Sequence, residues 1–328
     1  MAAGISLFAT ACTGQQEPPA RQDDNAQATG SSFAHAPKTF PLDKFKTDSK
    51  ERQTVDLAIS ILVNRCMAKY DQSWPEYKPT PGIPDNARKY GVTDLESVRV
   101  YGYKPPLPDG VSKAEAIAFR REYDAKEKSI TAAARSVYSG PEEEGNGKGD
   151  GKGGEKGEEK GGENVVLPPG LPEGGCSGEA RRKAEADRLN EDMMTVQDLF
   201  WKASATTGKD PRVTELNRRW SDCMKKSGMS YADPLAAVDD RTWRTQKTSG
   251  ESPTPFFPAP SKAEIRAAEA DVKCKEKTGY IETRSAVEFG HQRDIIKEHK
   301  AVLDAAWERK QRILKKLSAV VAEEIERP

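Results

Sequence analysis

Residues 210–228 read DPRVTELNRRWSDCMKKSG, and they show the pattern by which most of this chain folds. An aspartate followed by a proline is typical of the cap and first turn of a helix, and the closing glycine predicts the helix end. Between these signals, apolar residues recur mostly at three- or four-residue intervals, at Val213, Leu216, Trp220, Cys223 and Met224. The stretch therefore predicts an amphipathic helix that carries a cysteine near its end.

Two long segments repeat this pattern, an N-terminal helical segment at residues 48–140 and a C-terminal one at residues 171–328. Asp48, Ser112 and Ser261 each precede a glutamate by three residues, which is the capping-box pattern of a helix start. Proline-rich stretches separate the predicted helices. We therefore predict a mainly α fold, a helical bundle with Pro-rich loops in which the C-terminal segment packs against residues 48–140.

The end of the chain predicts an unusually long helix. From Ile281 to about Glu326 there is no proline, and the only glycine is Gly290. A single helix of about 45 residues would be nearly 70 Å long at 1.5 Å per residue. Such a helix must bend, project from the fold, or pack along much of it.

Composition predicts two disordered stretches and argues against nucleotide and nucleic-acid binding. Residues 13–47 and 141–170 are polar or rich in Gly, Lys and Glu, so they predict a disordered tether and a disordered linker. The linker contains a G-x-G-x-x-G pattern, but no strand precedes it, which argues against a dinucleotide site. Lys plus Arg equals Asp plus Glu, at 52 each, so no global field favours nucleic acid as a partner.

The first twelve residues resemble the end of a bacterial lipoprotein signal. An apolar stretch ends in small residues directly before Cys12, and the polar tether follows. We expect residues 1–12 to be a signal remnant, Cys12 to carry lipid, and the protein to lie on the extracytoplasmic face of the cell membrane. The stretch departs from a standard signal because it has no Lys or Arg and has Ala9 where leucine is usual. An ordinary apolar N-terminus with one cysteine is the alternative.

Four further cysteines predict two disulfides in an exported chain, with three connectivities open. We favour Cys66–Cys176 and Cys223–Cys274, because the second pair would join two helices across the Pro-rich loop. A four-thiolate zinc site is the alternative, but such sites usually bring cysteines in close pairs, and these four stand far apart. We therefore predict a disulfide-stapled bundle without a metal site.

Catalytic patterns are sparse, and we predict no catalytic residue and no cofactor. Cys176 lies in a Gly-Gly-Cys-Ser-Gly run that mimics a nucleophile elbow, but no convincing strand precedes it. His291 and His299 are eight residues apart on the last predicted helix, too far for joint metal binding. A basic cluster lies at Arg309, Lys310, Arg312, Lys315 and Lys316, and indicates either a solvated helix face or contact with anionic lipid or wall polymer.

Several motifs resemble those of uncharacterised secreted lipoproteins of Streptomyces-type actinobacteria. They are W-x-x-C-M-x-x-x-G at 220–228, Tyr90-Gly91, Tyr101-Gly102-Tyr103, Gly174-Gly175-Cys176 and the run ADVKCK at 270–275. The resemblance covers roughly residues 50–320, with the Gly-rich linker as an insert. It implies export, but the family has no established activity.

These patterns favour a non-enzymatic cell-envelope lipoprotein, anchored to the membrane by lipid, that binds a protein partner such as a transport complex, or a cell-wall component. We expect an aromatic loop at Trp243, Phe256 and Phe257 to supply the binding surface. The alternative is a cell-wall-modifying hydrolase that uses carboxylates. Two unpaired carboxylates in one cleft would favour the hydrolase, whereas a shallow aromatic groove would favour binding.

Overall fold

The computed structural model describes residues 39–140, 167–243 and 259–327, and in these ranges it has eleven α-helices and no strand. The helices are α1 Ser49–Met67, α2 Leu95–Tyr101, α3 Lys113–Ser129, α4 Ala132–Ser139, α5 Gly175–Ala184, α6 Ala186–Lys209, α7 Pro211–Lys226, α8 Pro234–Val238, α9 Lys262–Thr278, α10 Tyr280–Glu298 and α11 Lys300–Ile325. The mainly α prediction is therefore confirmed. None of the described helices combines the length and hydropathy that a membrane span requires.

The helix starts follow the predicted caps. The Asp48 carboxylate accepts a hydrogen bond from the Glu51 amide at 2.7 Å, and the Glu51 carboxylate accepts one from the Asp48 amide at 3.0 Å. Ser112 forms the same box at α3. At α9 the Ser261 hydroxyl accepts from the Glu264 amide, but the Glu264 carboxylate turns into the core. The sequence pattern thus predicts the helix start correctly, but the Glu264 side chain makes its contacts in the core instead of completing the capping box.

The two helical segments interleave. Helix α1 packs against α5 and α11. Helix α2 packs directly on α9, although the two are far apart in the sequence. Helix α10 lies against α6, α7 and α9 and so connects the two ends of the bundle. The part of the chain before the predicted linker therefore shares its core with the part that follows.

Two disulfides join the helices, and they are the two pairs favoured from the sequence. Cys66 at the end of α1 bonds to Cys176 at the start of α5, with their Cα atoms 5.5 Å apart. Cys223 of α7 bonds to Cys274 of α9, with a Cα–Cα distance of 5.7 Å. On the chain-entropy model, closing the loop of 110 residues stabilises the fold by about 5 kcal/mol, and closing the loop of 51 residues by about 4 kcal/mol.

The predicted tether ends too late. Its last residues form a 3-10 turn, Pro41–Phe45, in which Leu42 and Phe45 are buried. The Lys310 ammonium of α11 donates to the carbonyl oxygens of Lys44 and Lys46 and to the Glu51 carboxylate. Three apolar side chains within six residues, Phe40 included, supply enough buried surface to order the segment. Residues 13–38 of the tether, the signal remnant and linker residues 141–166 lie outside the described residues.

The long C-terminal run is helical and bends, which is one of the three outcomes expected from its length. The run predicted as one helix of about 45 residues is divided at His299, where φ is −110° and ψ is 25°. The break lets α10 pack on α6 and α7, while α11 turns to lie along α1. Periodicity could not reveal it, because the apolar stripe continues on both sides of the bend. At 26 residues, α11 is still the longest helix of the described chain.

Candidate functional site

The residues of the W-x-x-C-M and ADVKCK motifs form a buried polar network. The Trp220 indole N–H donates to Asp271 Oδ1 at 2.9 Å. Lys275 Nζ donates to Asp271 Oδ2 at 2.9 Å and to the Val92 carbonyl oxygen at 2.7 Å. All three side chains are fully or almost fully buried, so they hold the core together and do not face a ligand.

Burial has opposite effects on the two charged groups. Removal from water raises the pKa of the Asp271 carboxyl and lowers the pKa of the Lys275 ammonium, because it disfavours both charged forms. Their mutual attraction works against both shifts. The pair therefore depends on its own geometry and on the hydrogen bonds from Trp220 and to Val92.

The two Tyr-Gly motifs fit around the same core. Gly91 has φ +80°, and a Cβ atom there would lie 2.9 Å from Val238 Cγ2 and 3.2 Å from Lys275 Nζ. Gly102 has φ +59°, and a Cβ atom would lie 2.6 Å from Glu264 Oε1. Each glycine thus has a left-handed backbone and a close neighbour that excludes a side chain. These motifs are structural.

Of the predicted aromatic loop, the structure describes Trp243. The Trp243 ring is half-buried, 6.0 Å from the Tyr103 ring, and its indole N–H donates to the Ala237 carbonyl oxygen at 2.8 Å. Trp243 therefore packs against the core while part of its side chain stays exposed, and its place in a binding surface stays a prediction. Phe256, Phe257 and Cys12 lie outside the described residues.

The cysteine considered as a nucleophile and the two histidines considered as metal ligands have structural roles. Cys176 is bonded to Cys66. His291 Nε2 lies 3.2 Å from Asp210 Oδ2, whereas His299 contacts Lys202 and Glu298, so the two histidines serve different helix junctions. Within the described residues no group of three His, Cys, Asp or Glu side chains could hold a metal ion.

The basic cluster on α11 is mostly engaged within the chain. Arg309 forms two hydrogen bonds with Asp192, at 2.8 and 2.6 Å. Arg312 and Lys316 both form ion pairs with Glu185, and Lys310 is buried against the residues that precede α1. Because these basic groups already have carboxylate partners in the chain, the cluster fits a helix face packed on α6 better than a site for anionic lipid.

A groove of about 550 Å³ lies between α1 and α3, and we call it the α1–α3 groove. Its floor is the face of α1 around Ile59 and Val63 together with the extended segment 74–80, and α3 forms the opposite wall. Its volume lies within the range of about 300–1,000 Å³ typical of ligand pockets. Cavities of this kind are the first place to expect ligand binding.

Three polar side chains of α1 hold the extended segment. Asn64 Oδ1 accepts from the Trp74 amide at 2.8 Å, and Ser60 Oγ accepts from the Tyr77 amide at 2.9 Å. The Gln53 side chain donates to the Thr80 carbonyl oxygen at 3.0 Å. The intervening prolines favour extended backbone and cannot donate hydrogen bonds, so the segment lies along α1 instead of forming a helix.

Aromatic rings surround the groove. Trp74 stacks on Tyr138 of α4, with ring centroids 3.7 Å apart and an angle of 7° between the planes. Phe119 and Tyr123, one turn apart on α3, line the other wall and are 41% and 54% exposed. Tyr77 completes the set. The groove thus combines one partly buried stacked pair, packed against the core, with two rings that are more exposed to solvent.

Charged groups line the rim. The Glu122 carboxylate of α3 lies 2.6 Å from Lys78 Nζ and 3.2 Å from Lys126 Nζ, and hydrogen bonds from these lysines lower its pKa. On the α1 side, burial raises the pKa of the Asp56 carboxyl. Burial, followed by the nearby Asp56 charge, also raises the pKa of Tyr77. The two walls therefore offer carboxylates in different electrostatic environments.

Helix α3 is loosely held. None of its described residues is fully buried, although it is 17 residues long. The Lys78–Glu122 ion pair joins it to the extended segment across the groove, and an exposed pair of this kind contributes little to stability because water screens it. This wall of the groove can therefore shift at little energetic cost.

The Ser112 capping box predicts the start of α3, which carries Phe119 and Tyr123, but the sequence does not identify the groove. A stripe that faces a core and one that faces a gap have the same periodicity. The sequence feature that could have indicated the groove is a proline-rich stretch that follows a helix carrying Gln53, Ser60 and Asn64. Comparisons with protein-family models, curated proteins and solved structures found no match to this chain.

We predict that the buried pair is a structural requirement. Lys275→Met leaves the Asp271 carboxylate buried without its cation, which should lower the free energy of unfolding by about 3–5 kcal/mol in a urea titration. Adding Asp271→Asn, which keeps an acceptor for the Trp220 indole, should recover part of that loss. Lys277→Met on the exposed face of α9 is the matched control, with an expected change within about 0.5 kcal/mol. Equal effects of Lys275→Met and Lys277→Met would contradict the prediction.

Proposed function

We propose that this chain is a non-enzymatic, lipid-anchored protein of the cell envelope that holds its ligand in the α1–α3 groove. The observation that carries the proposal is the groove itself, with exposed Phe119 and Tyr123 facing a fixed wall formed by α1 and the segment that contains Trp74. Exposed aromatic rings in a concave site of this size favour ligand binding, since their burial on binding is the main favourable term.

Hydrolysis by carboxylates is the second candidate function, because Asp56, Glu76 and Glu127 line the groove together with Glu122. A carboxylate hydrolase needs one carboxylic acid with a raised pKa and a second carboxylate free to act as base or nucleophile. Asp56 meets the first condition in part, because burial raises its pKa. Across the groove, Glu122 is engaged with Lys78 and Lys126, which makes it a poor base.

Three observations support an envelope location. Cys12 follows an apolar stretch that ends in small residues, and the motifs resemble those of secreted actinobacterial lipoproteins. The pairing of all four described cysteines in disulfides agrees with an oxidising compartment.

The anchor predicts a specific modification. Expressed from its own chromosomal locus in cells fed an alkyne fatty acid, the wild-type protein should be labelled, and Cys12→Ala should not, because Cys12 is the proposed acceptor. In-gel fluorescence of the immunoprecipitated protein measures the label. Labelling of both forms to the same extent would refute lipidation at Cys12.

The groove predicts a second result, in a sedimentation assay with isolated cell envelopes. Wild-type protein lacking residues 1–12 should sediment with the envelopes, and Phe119→Ala/Tyr123→Ala should remain in the supernatant. Both substituted rings are largely exposed, so the variant should melt at nearly the wild-type temperature. Trp201→Ala, which removes a 62% exposed ring from α6, is the matched control and should sediment like wild type.

Two outcomes would contradict the proposal. Sedimentation of the groove variant to the wild-type extent would place binding elsewhere. Release of soluble wall fragments by the wild-type protein, with loss of release in Asp56→Asn, would instead favour the hydrolase.

A further inference from the structure

We propose that the ligand of the α1–α3 groove is a glycan strand of uncharged sugar rings, an inference that rests on the proposed function. Three features of the groove point to this chemistry: accessible aromatic faces, carboxylate acceptors beside them, and a nearly balanced rim charge. Each feature is common alone, and their combination in one open groove selects the ligand class.

The aromatic rings match the apolar faces of sugars. One face of a pyranose ring presents several C–H bonds, which pack favourably against the electron-rich face of an aromatic ring. Phe119 and Tyr123 project from successive turns of α3 into the groove, opposite the stacked Trp74 and Tyr138 rings. A groove of about 550 Å³ between two such walls suits about two or three sugar rings.

The polar groups match the edges of sugars. Asp56, Glu76 and Glu127 line the groove beside the rings. A carboxylate has about four lone-pair positions and can accept several hydroxyl hydrogen bonds. Sugar hydroxyls donate such bonds around the whole ring edge, so stacking and hydrogen bonding would act on the same ligand at right angles.

The rim charge disfavours ionic polymers. Three basic side chains, Lys78, Lys126 and Arg135, line the groove together with four acidic ones, Asp56, Glu76, Glu122 and Glu127. Two of the lysines are already engaged with Glu122. The site therefore offers no strong field for a polyanion such as a phosphate polymer, nor for a polycation.

The backbone disfavours an extended peptide. A peptide that adds as a strand needs a row of free N–H and C=O groups on the receiving edge. In the segment 74–80, Pro75 and Pro79 have no N–H, and the Trp74 and Tyr77 amides already donate to α1 side chains.

The test uses chitotetraose and cellotetraose as uncharged β-linked probes, titrated into the folded protein lacking residues 1–12 and followed by calorimetry. At least one probe should bind wild type and Trp201→Ala equally, and Phe119→Ala/Tyr123→Ala should bind it at least about tenfold more weakly, because stacking area is lost. Affinity should change by less than about twofold between low salt and 0.5 M NaCl, because the ligand carries no charge.

Several results would overturn the inference. They are no binding of either oligosaccharide, equal binding by wild type and the groove variant, or groove-dependent binding of a proline-rich peptide or an anionic lipid vesicle instead. If envelope sedimentation still depends on Phe119 and Tyr123 while neither oligosaccharide binds, the glycan assignment fails and the binding function stands. If sedimentation is also independent of these rings, both fail.

Discussion

The buried ion pair between Asp271 and Lys275 is the constraint on which the rest of the structure depends. Removing two charges from water costs several kcal/mol per ion, so every remaining hydrogen-bonding position has to be satisfied. Trp220 supplies a donor from α7, and Val92 supplies an acceptor from the loop before α2. Satisfying one pair on α9 therefore draws three distant parts of the chain together, and the neighbouring Cys223–Cys274 bond fixes the α7–α9 contact.

Helix α1 forms the fixed wall of the groove. Its end is bonded to α5 through Cys66, and its start is tied to Lys310 of α11 through Glu51. The polar face of the same helix positions the extended segment through Ser60 and Asn64. One wall of the groove is thus built into the core, whereas α3 has no fully buried residue. A rigid wall opposite a movable one suits a site that closes on a polymer.

The sequence predicted local features better than long-range ones. Caps such as Asp48 are defined by a few neighbouring residues. The cysteine pairs could be predicted because four cysteines allow only three connectivities. The break at His299 and the packing of Phe40 depend on contacts with helices far away in the chain, which periodicity does not contain. The contacts of Trp243 are likewise absent from the pattern, since its indole partner Ala237 and its ring neighbour Tyr103 come from tertiary packing. The groove needs α1, α3 and α4 together, so no single stretch encodes it.

The central claim has two parts. The motif residues of α7 and α9 are scaffold, and the ligand contacts lie in the α1–α3 groove. Amide hydrogen exchange followed by mass spectrometry, with and without saturating chitotetraose, tests this division most directly. The account predicts slower exchange within residues 53–80 and 113–138, where ligand would stabilise both walls, and unchanged exchange in helices α7 and α9. Protection concentrated in α7 and α9, with none in the groove, would contradict it.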